Sequence, residues 1–400
     1  MRKIALLLIV SFVIPTSSWA TTKPIPGKSC IKVGSVEIVG SLKFTCIKTG
    51  NKLVWSKGTK FSTKKSTEAD VKNPISKPSS SPSSSVSATL SKLQSTWREI
   101  QQLKSEKPVP ALALDIRYSP TVNQAYAKSV LVSLNAAAQF WQTQFLPDKP
   151  FPVLVFSEKD EDWYKNQLMN LGVGNEFITQ KINQYRSQVQ RTGSRINGAG
   201  LNGFQNKNWL EFNFGTDFGA KNFGSEARLF ELGSLKVGPH EYTHLAQWKL
   251  VDGPSSDFLP CWFIEGGAEF YGMILGAKDL QTLKEMRYNQ VWERYYLNFD
   301  GMGYEPAQGW ESFLEENGAF SETSKPSNEC GPNGAYPVGA VATQYLYELK
   351  GQKGIIDFME GVQESRDWRK TLLNVYGISW IQMKKEIAAY IRLIVAQTPK

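Results

Sequence analysis

The string His240-Glu241-Tyr242-Thr243-His244 holds both histidines of a 400-residue chain. On an α-helix, residues four apart stand one turn above each other on one face, so His240 and His244 can grip a single ion. Glu241 leaves the adjoining part of that face, where an unligated carboxylate can take a proton from a water held by the ion. A chain with no other histidine has spent the residue on this pair alone, which points to one bound Zn2+ per chain. The string therefore predicts a helix, and the neighbouring segments are read by how they complete its site.

Zinc in a catalytic site takes three protein ligands and leaves a fourth position for water. No third histidine exists, so the third ligand is expected to be a carboxylate. The best candidate lies in Pro260-Cys261-Trp262-Phe263-Ile264-Glu265-Gly266-Gly267-Ala268-Glu269-Phe270-Tyr271. Between His244 and Glu265 there is chain enough to finish one helix, turn through Asp252-Gly253-Pro254 and lay a second helix alongside. The small residues Gly266, Gly267 and Ala268 permit the close approach that a short carboxylate needs. Glu269, four residues on, is placed to accept the second N–H of a ligand imidazole and so fix its tautomer; the two glutamates could also exchange these roles.

With these residues in view, the chain resembles the gluzincin metallopeptidases. In these, two HExxH histidines and a downstream glutamate hold zinc. The likeness is to the aminopeptidase N-like and peptidase MA-like branches, whose third ligand sits in a similar Trp-x-x-Glu-Gly-x-Ala string. The resemblance implies a third element: Ala335-Tyr336-Pro337-Val338-Gly339-Ala340 and the residues to Gly351 are similar to the helix on which those enzymes carry a tyrosine. Tyr336 takes the place of the donor to the oxyanion, a role whose loss typically costs about 100- to 1000-fold in rate. The likeness spans residues 234–351, about a third of the chain. It lacks the Gly-x-Met-Glu-Asn string that binds a free amino terminus, so exopeptidase action is not implied. Trp209-Leu210-Glu211-Phe212-Asn213-Phe214 is the candidate edge strand along which such enzymes lay an extended peptide.

The remainder of the chain sets the context. Residues 1–20 read as a secretory signal, with Arg2 and Lys3, an apolar run from Ile4 to Pro15, and Ser18 and Ala20 around a cleavage site. The run is too short to span a bilayer, and no other stretch suits a transmembrane helix. The expectation is a secreted, extracellular protein, with cell-wall association as one option. Four cysteines in an oxidising compartment suggest Cys30 with Cys46 and Cys261 with Cys330, by proximity among three formal pairings. The second bridge would clamp the start of the third-ligand helix to the loop before Tyr336, worth roughly 4 kcal/mol in the chain-entropy model.

The formal charge of +9 is not spread along the chain. Residues 21–80 carry twelve lysines against Glu37, Glu68 and Asp70, and residues 81–400 sum to −2. A basic head on a near-neutral body argues for adhesion to an anionic polymer or membrane surface, with a cell-envelope polymer held by residues 25–77 as the expected partner, and no nucleic-acid partner is expected. Residues 25–60 read as a small basic β module of two or three strands, stapled by Cys30 and Cys46. Its Gly27, Cys30, Cys46, Gly50-Asn51-Lys52-Leu53-Val54-Trp55 and Gly58 resemble a short Cys/Lys/Trp module of secreted Gram-positive bacterial proteins. Residues 61–88 are too poor in apolar residues to fold and form a Ser/Pro/Lys linker.

Residues 89–400 are expected to form one α+β domain with a mostly helical C-terminal half. Helical periodicity runs over Leu90–Leu103, Val122–Phe145 and Trp380–Thr398. Leu112–Arg117 and Phe151–Phe156 read as buried strands, followed by a polar stretch that opens at Asp160. The function expected is peptide-bond hydrolysis on a peptide or protein substrate. Two alternatives stand beside it: a non-catalytic binding protein of the envelope on the same fold, and a zinc amidase acting on cell-wall material.

Overall fold

The structure, a computed structural model, describes residues 26–29, 36–39, 42–50, 52–57, 59–60, 86–107, 114–145, 150–195, 197–204, 207–216, 226–253, 258–292, 309–318 and 335–398. The expected signal (1–20) and nearly all of the expected linker lie outside these residues. The chain divides into two units, Met1–Ser79 and Ser80–Lys400.

In the first unit, strands β1 (Val36–Val39), β2 (Leu42–Thr49) and β3 (Lys52–Trp55) form an antiparallel sheet in that order, and β4 (Thr59–Lys60) also pairs with β2. Phe44 and Cys46 are its buried side chains among the described residues, while Lys28, Lys48, Lys52 and Lys57 are exposed. Cys46 is disulfide-bonded; Cys30, its expected partner, lies outside the described residues.

The second unit opens with α1 (Val86–Ser105), whose first three residues had been assigned to the linker. Strand β5 (Leu114–Tyr118), helix α2 (Gln124–Trp141) and strand β6 (Phe151–Phe156) follow. Helix α2 starts where Asn123 accepts from the backbone N–H of Ala125 and Tyr126, a side-chain cap. The polar stretch after Asp160 folds as two helices, α3 (Glu161–Asn170) and α4 (Asn175–Thr192). Their apolar residues are sparse but lie one turn apart, as Tyr164 and Leu168 or Ile178, Ile182 and Tyr185.

Strands β7 (Asn197–Phe204) and β8 (Lys207–Phe214) form a hairpin, and the sheet runs β5-β6-β8-β7. Strands β5, β6 and β8 are parallel and β7 is antiparallel to β8. This corrects one expectation: Trp209–Phe214 lies inside the sheet as part of β8, and the edge strand beside it is β7. Asn-Gly-Ala-Gly-Leu-Asn-Gly-Phe carries no β-branched residue and little alternation, so it gives no strand signal. Alternation along the inner strands divides the interior. Val153, Val155, Leu210, Phe212 and Phe214 enter a large core with the C-terminal helices; Leu154, Phe156 and Trp209 enter a small one with α3 and α4.

The C-terminal part is helical: α5 (Glu226–Leu250), α6 (Cys261–Gly276), α7 (Leu280–Trp292), α8 (Gly309–Gly318), α9 (Ala335–Ser365, interrupted at Gly351), α10 (Trp368–Tyr376) and α11 (Trp380–Gln397). Two small sheets beside a helical majority make the architecture α+β. Helix α6 is buried almost all round and sits between α5 and α9. Its glycines do more than was expected. Gly266 abuts α9, not the histidine helix: a Cβ there would lie 2.1 Å from the Gly339 carbonyl carbon, and one on Gly339 2.0 Å from the Trp262 carbonyl oxygen. Gly267 meets the Gln247 side chain of α5, and the backbone contact with α5 falls further along, where a Cβ on Gly276 would lie 2.3 Å from the Leu235 oxygen. That carbonyl lacks its usual donor, because the residue four positions on is Pro239.

Gly339→Ala forces the α6 and α9 backbones apart, and urea unfolding is expected to show a loss of about 1–3 kcal/mol.

Candidate metal centre

Helix α5 presents the two histidines one turn apart, with His240 and Glu241 buried. The nitrogen His240 Nε2 lies 3.2 Å from His244 Nε2, and Glu265 Oε2 from α6 lies 3.5 Å from each. An ion at bond lengths of 2.0–2.2 Å in tetrahedral geometry holds its ligand atoms about 3.3–3.5 Å apart. The observed triangle therefore has the size of one face of such a tetrahedron. Glu265 Oε2 is buried with no hydrogen-bond partner, and 3.5 Å is too long for a hydrogen bond to either ring. A buried, unpaired carboxylate oxygen facing two imidazole nitrogens fits a cation between them. His240, His244 and Glu265 are thus a group that could hold a metal ion.

The far nitrogens of both rings face side-chain oxygens. His240 Nδ1 lies 3.5 Å from Glu269 Oε2, and Glu269 Oε1 accepts from Lys236 Nζ at 2.5 Å. Glu265 faces both Nε2 atoms, and Glu269 the outer nitrogen of His240. The side chain of Gln247 completes the arrangement on the other ring. Its Oε1 is 3.0 Å from His244 Nδ1, and its Nε2 donates to the carbonyls of Phe263 and Ile264 at 3.1 and 3.0 Å. With the amide so anchored, Oε1 is an acceptor and His244 carries its proton on Nδ1, which leaves the Nε2 lone pair free. Lys236 and Gln247 were not found in the sequence. Their signal was available, because they stand four before His240 and three after His244, on the ligand face of the helix.

Glu241 shares the pocket. Burial raises its carboxyl above the usual range, assisted by the charges of Glu265 and Glu211 and opposed by His240 and His244. Burial raises the carboxyls of Glu265 and Glu269 as well, yet both end well below the ordinary value: the two histidines hold Glu265 down, and Lys236 and His240 hold Glu269 down. For His240, burial favours the neutral ring, but Glu265 and Glu269 overcome it and push the pKa up to about 10.

Tyr336, in the first turn of α9, lies parallel to the His240 ring, with centroids 5.6 Å apart and 9° between planes. Burial, then the charges of Glu265 and Glu241, push its hydroxyl well above the tyrosine norm, so it remains an O–H donor. Together with Ala199, Gly200 and Leu201 of the edge strand, these groups line a pocket of about 280 Å3. Cys261, at the start of α6, is disulfide-bonded; Cys330 lies outside the described residues. No helix among the described residues is long and apolar enough to cross a membrane. Comparison with protein-family models, curated proteins and solved structures gives no match to this chain.

Two outcomes are expected. Gln247→Ala frees the His244 ring and lowers metal affinity about 10- to 100-fold, measured by chelator competition. Metal uptake by the metal-free protein at pH 7 releases protons, because the raised His240 must lose one to bind; titration calorimetry in buffers of different ionisation enthalpy measures this, and affinity rises with pH from 6 to 9.

Proposed function

We propose that this chain is a secreted zinc-dependent metallopeptidase of the gluzincin kind. One observation carries the reading: a single pocket gathers a metal-sized triangle of His240, His244 and Glu265, a buried unligated carboxylate at Glu241 and a neutral hydroxyl at Tyr336. Two imidazoles and one carboxylate are the donor set of catalytic zinc, with a fourth position left open. When bound, the ion supplies Lewis acidity, which polarises an amide carbonyl and brings the pKa of a water towards about 7.

The chain's own residues supply the other parts. Glu241, raised by its burial, takes the proton of the attacking water and returns it to the leaving amine. Tyr336 donates its hydroxyl to the oxygen of the tetrahedral intermediate. Glu269 and Lys236 on one side and Gln247 on the other keep the imidazoles in the tautomer that points both Nε2 atoms inward. Strand β7 borders the pocket, and among the described residues it pairs on one side alone, so its other side offers backbone N–H and C=O groups to an extended peptide.

Residues 1–20 supply the export signal. The lysines of residues 25–77 supply attachment to an anionic envelope polymer.

Glu241→Gln is expected to keep the full complement of zinc, measured by elemental analysis, and to lose casein cleavage by about 100-fold or more. Zinc-loaded Glu241→Gln protein with wild-type activity would overturn this mechanism. Cleavage of wall fragments but not casein would move the assignment to an amidase.

A further inference from the structure

Beyond the metal pocket lies a second, larger groove of about 640 Å3, and one side chain, Trp248, belongs to the walls of both. It stands one turn after His244 on α5. Its ring rests on the edge strand where β7 has Gly203: a Cβ there would come within 3.1 Å of Trp248 Cη2. The ring is therefore held between the histidine helix and the strand, as a partition between the two cavities. On its far side the groove has Leu245 and Trp209, both buried, and Phe145, Phe151 and Leu171, half-buried. Four polar side chains, Lys207, Asn208, Lys249 and Asp252, also line it, and Lys207 Nζ donates to the carbonyl of Gly172 at 2.7 Å. Trp248, Phe145, Phe151 and Leu171 give the groove an apolar wall that suits an apolar side chain.

We infer that this groove seats one bulky apolar side chain of the substrate, a short way along the chain from the scissile bond; the inference rests on the peptidase reading above. Continuity through Trp248 fixes the occupant as a part of the same extended chain that lies at the metal. Residues Ala199 to Leu201 border the metal pocket and Gly203 lies under Trp248, which is about two residues or 7 Å further along the strand. The groove thus reads a side chain about two residues from the bond that is cut.

The test measures binding of metal-directed inhibitors to the zinc-loaded full chain, so it needs no turnover. Two short hydroxamate series, one extending to the N-terminal and one to the C-terminal side of the hydroxamate, carry phenylalanine or glycine two residues away. In wild type one series is expected to favour phenylalanine by about 10- to 100-fold. Trp248→Ala, which removes the partition, and Leu171→Gln, at the far end of the groove, should each reduce that ratio at least several-fold at unchanged zinc content. A ratio near one in both series, or one that survives in both variants, would overturn the groove while leaving hydrolysis intact. Lack of peptide cleavage beside a preserved ratio would overturn hydrolysis and leave the groove; failure of every hydroxamate to bind would overturn both.

Discussion

A carboxylate held in the interior between two imidazoles is the constraint on which the rest of this structure depends. Glu265 sits on a helix that, Glu269 aside, is apolar and buried almost all round, and a buried charge without compensation costs several kcal/mol. The two rings and the ion they could hold provide the compensation. This works only if α6 lies close to the histidine helix and keeps its azimuth to within a fraction of a turn. The side chain of Gln247 enforces this directly, with one end on His244 and the other on the carbonyls of Phe263 and Ile264, the two residues before Glu265. Ligand orientation and helix register are thereby set by one amide.

Glycine makes the same closeness possible on both flanks of α6. Gly266 meets Gly339 on α9, three residues after Tyr336, so the hydroxyl-bearing helix is seated by backbone contact where Glu265 projects. At Gly276 the facing atom is the carbonyl that Pro239 leaves without a donor. A proline one residue before His240 looks like a disruption, yet here it falls where α6 fits tightly against the helix. The pocket is assembled from three helices and a strand edge, and each junction has a small residue at its closest point.

Much of this was legible in the sequence because it is written in local periodicity. The pair at i, i+4 placed both histidines, the Trp-Phe-Ile-Glu-Gly-Gly-Ala-Glu string placed Glu265 and Glu269, and the continuous apolar run Phe151–Phe156 is strand β6 residue for residue. What escaped depends on tertiary context. Strand β7 is built of glycine and asparagine and is held by its eight-residue register with β8 rather than by any preference of its own. Helices α3 and α4 bury only a narrow stripe, so polarity hid them. Gln247 and Lys236 are ordinary surface residues by type, and only their partners, His244 Nδ1 and the Glu269 carboxylate, give them a purpose.

The alternation of β6 and β8 has a consequence for how the protein opens. The small core of Leu154, Phe156, Tyr164, Leu168, Val173, Ile178, Ile182, Tyr185 and Trp209 shares no buried side chain with the large one. The layer of α3 and α4 can therefore lose its packing as a unit of its own, at a free energy below that of global unfolding. Helices α5, α6 and α9 belong wholly to the other core. Amide protons in α3 and α4 should exchange in a cooperative step that leaves those of the ligand-bearing helices protected, so the molecule can loosen on one side of its sheet while the three side chains on the other keep their spacing.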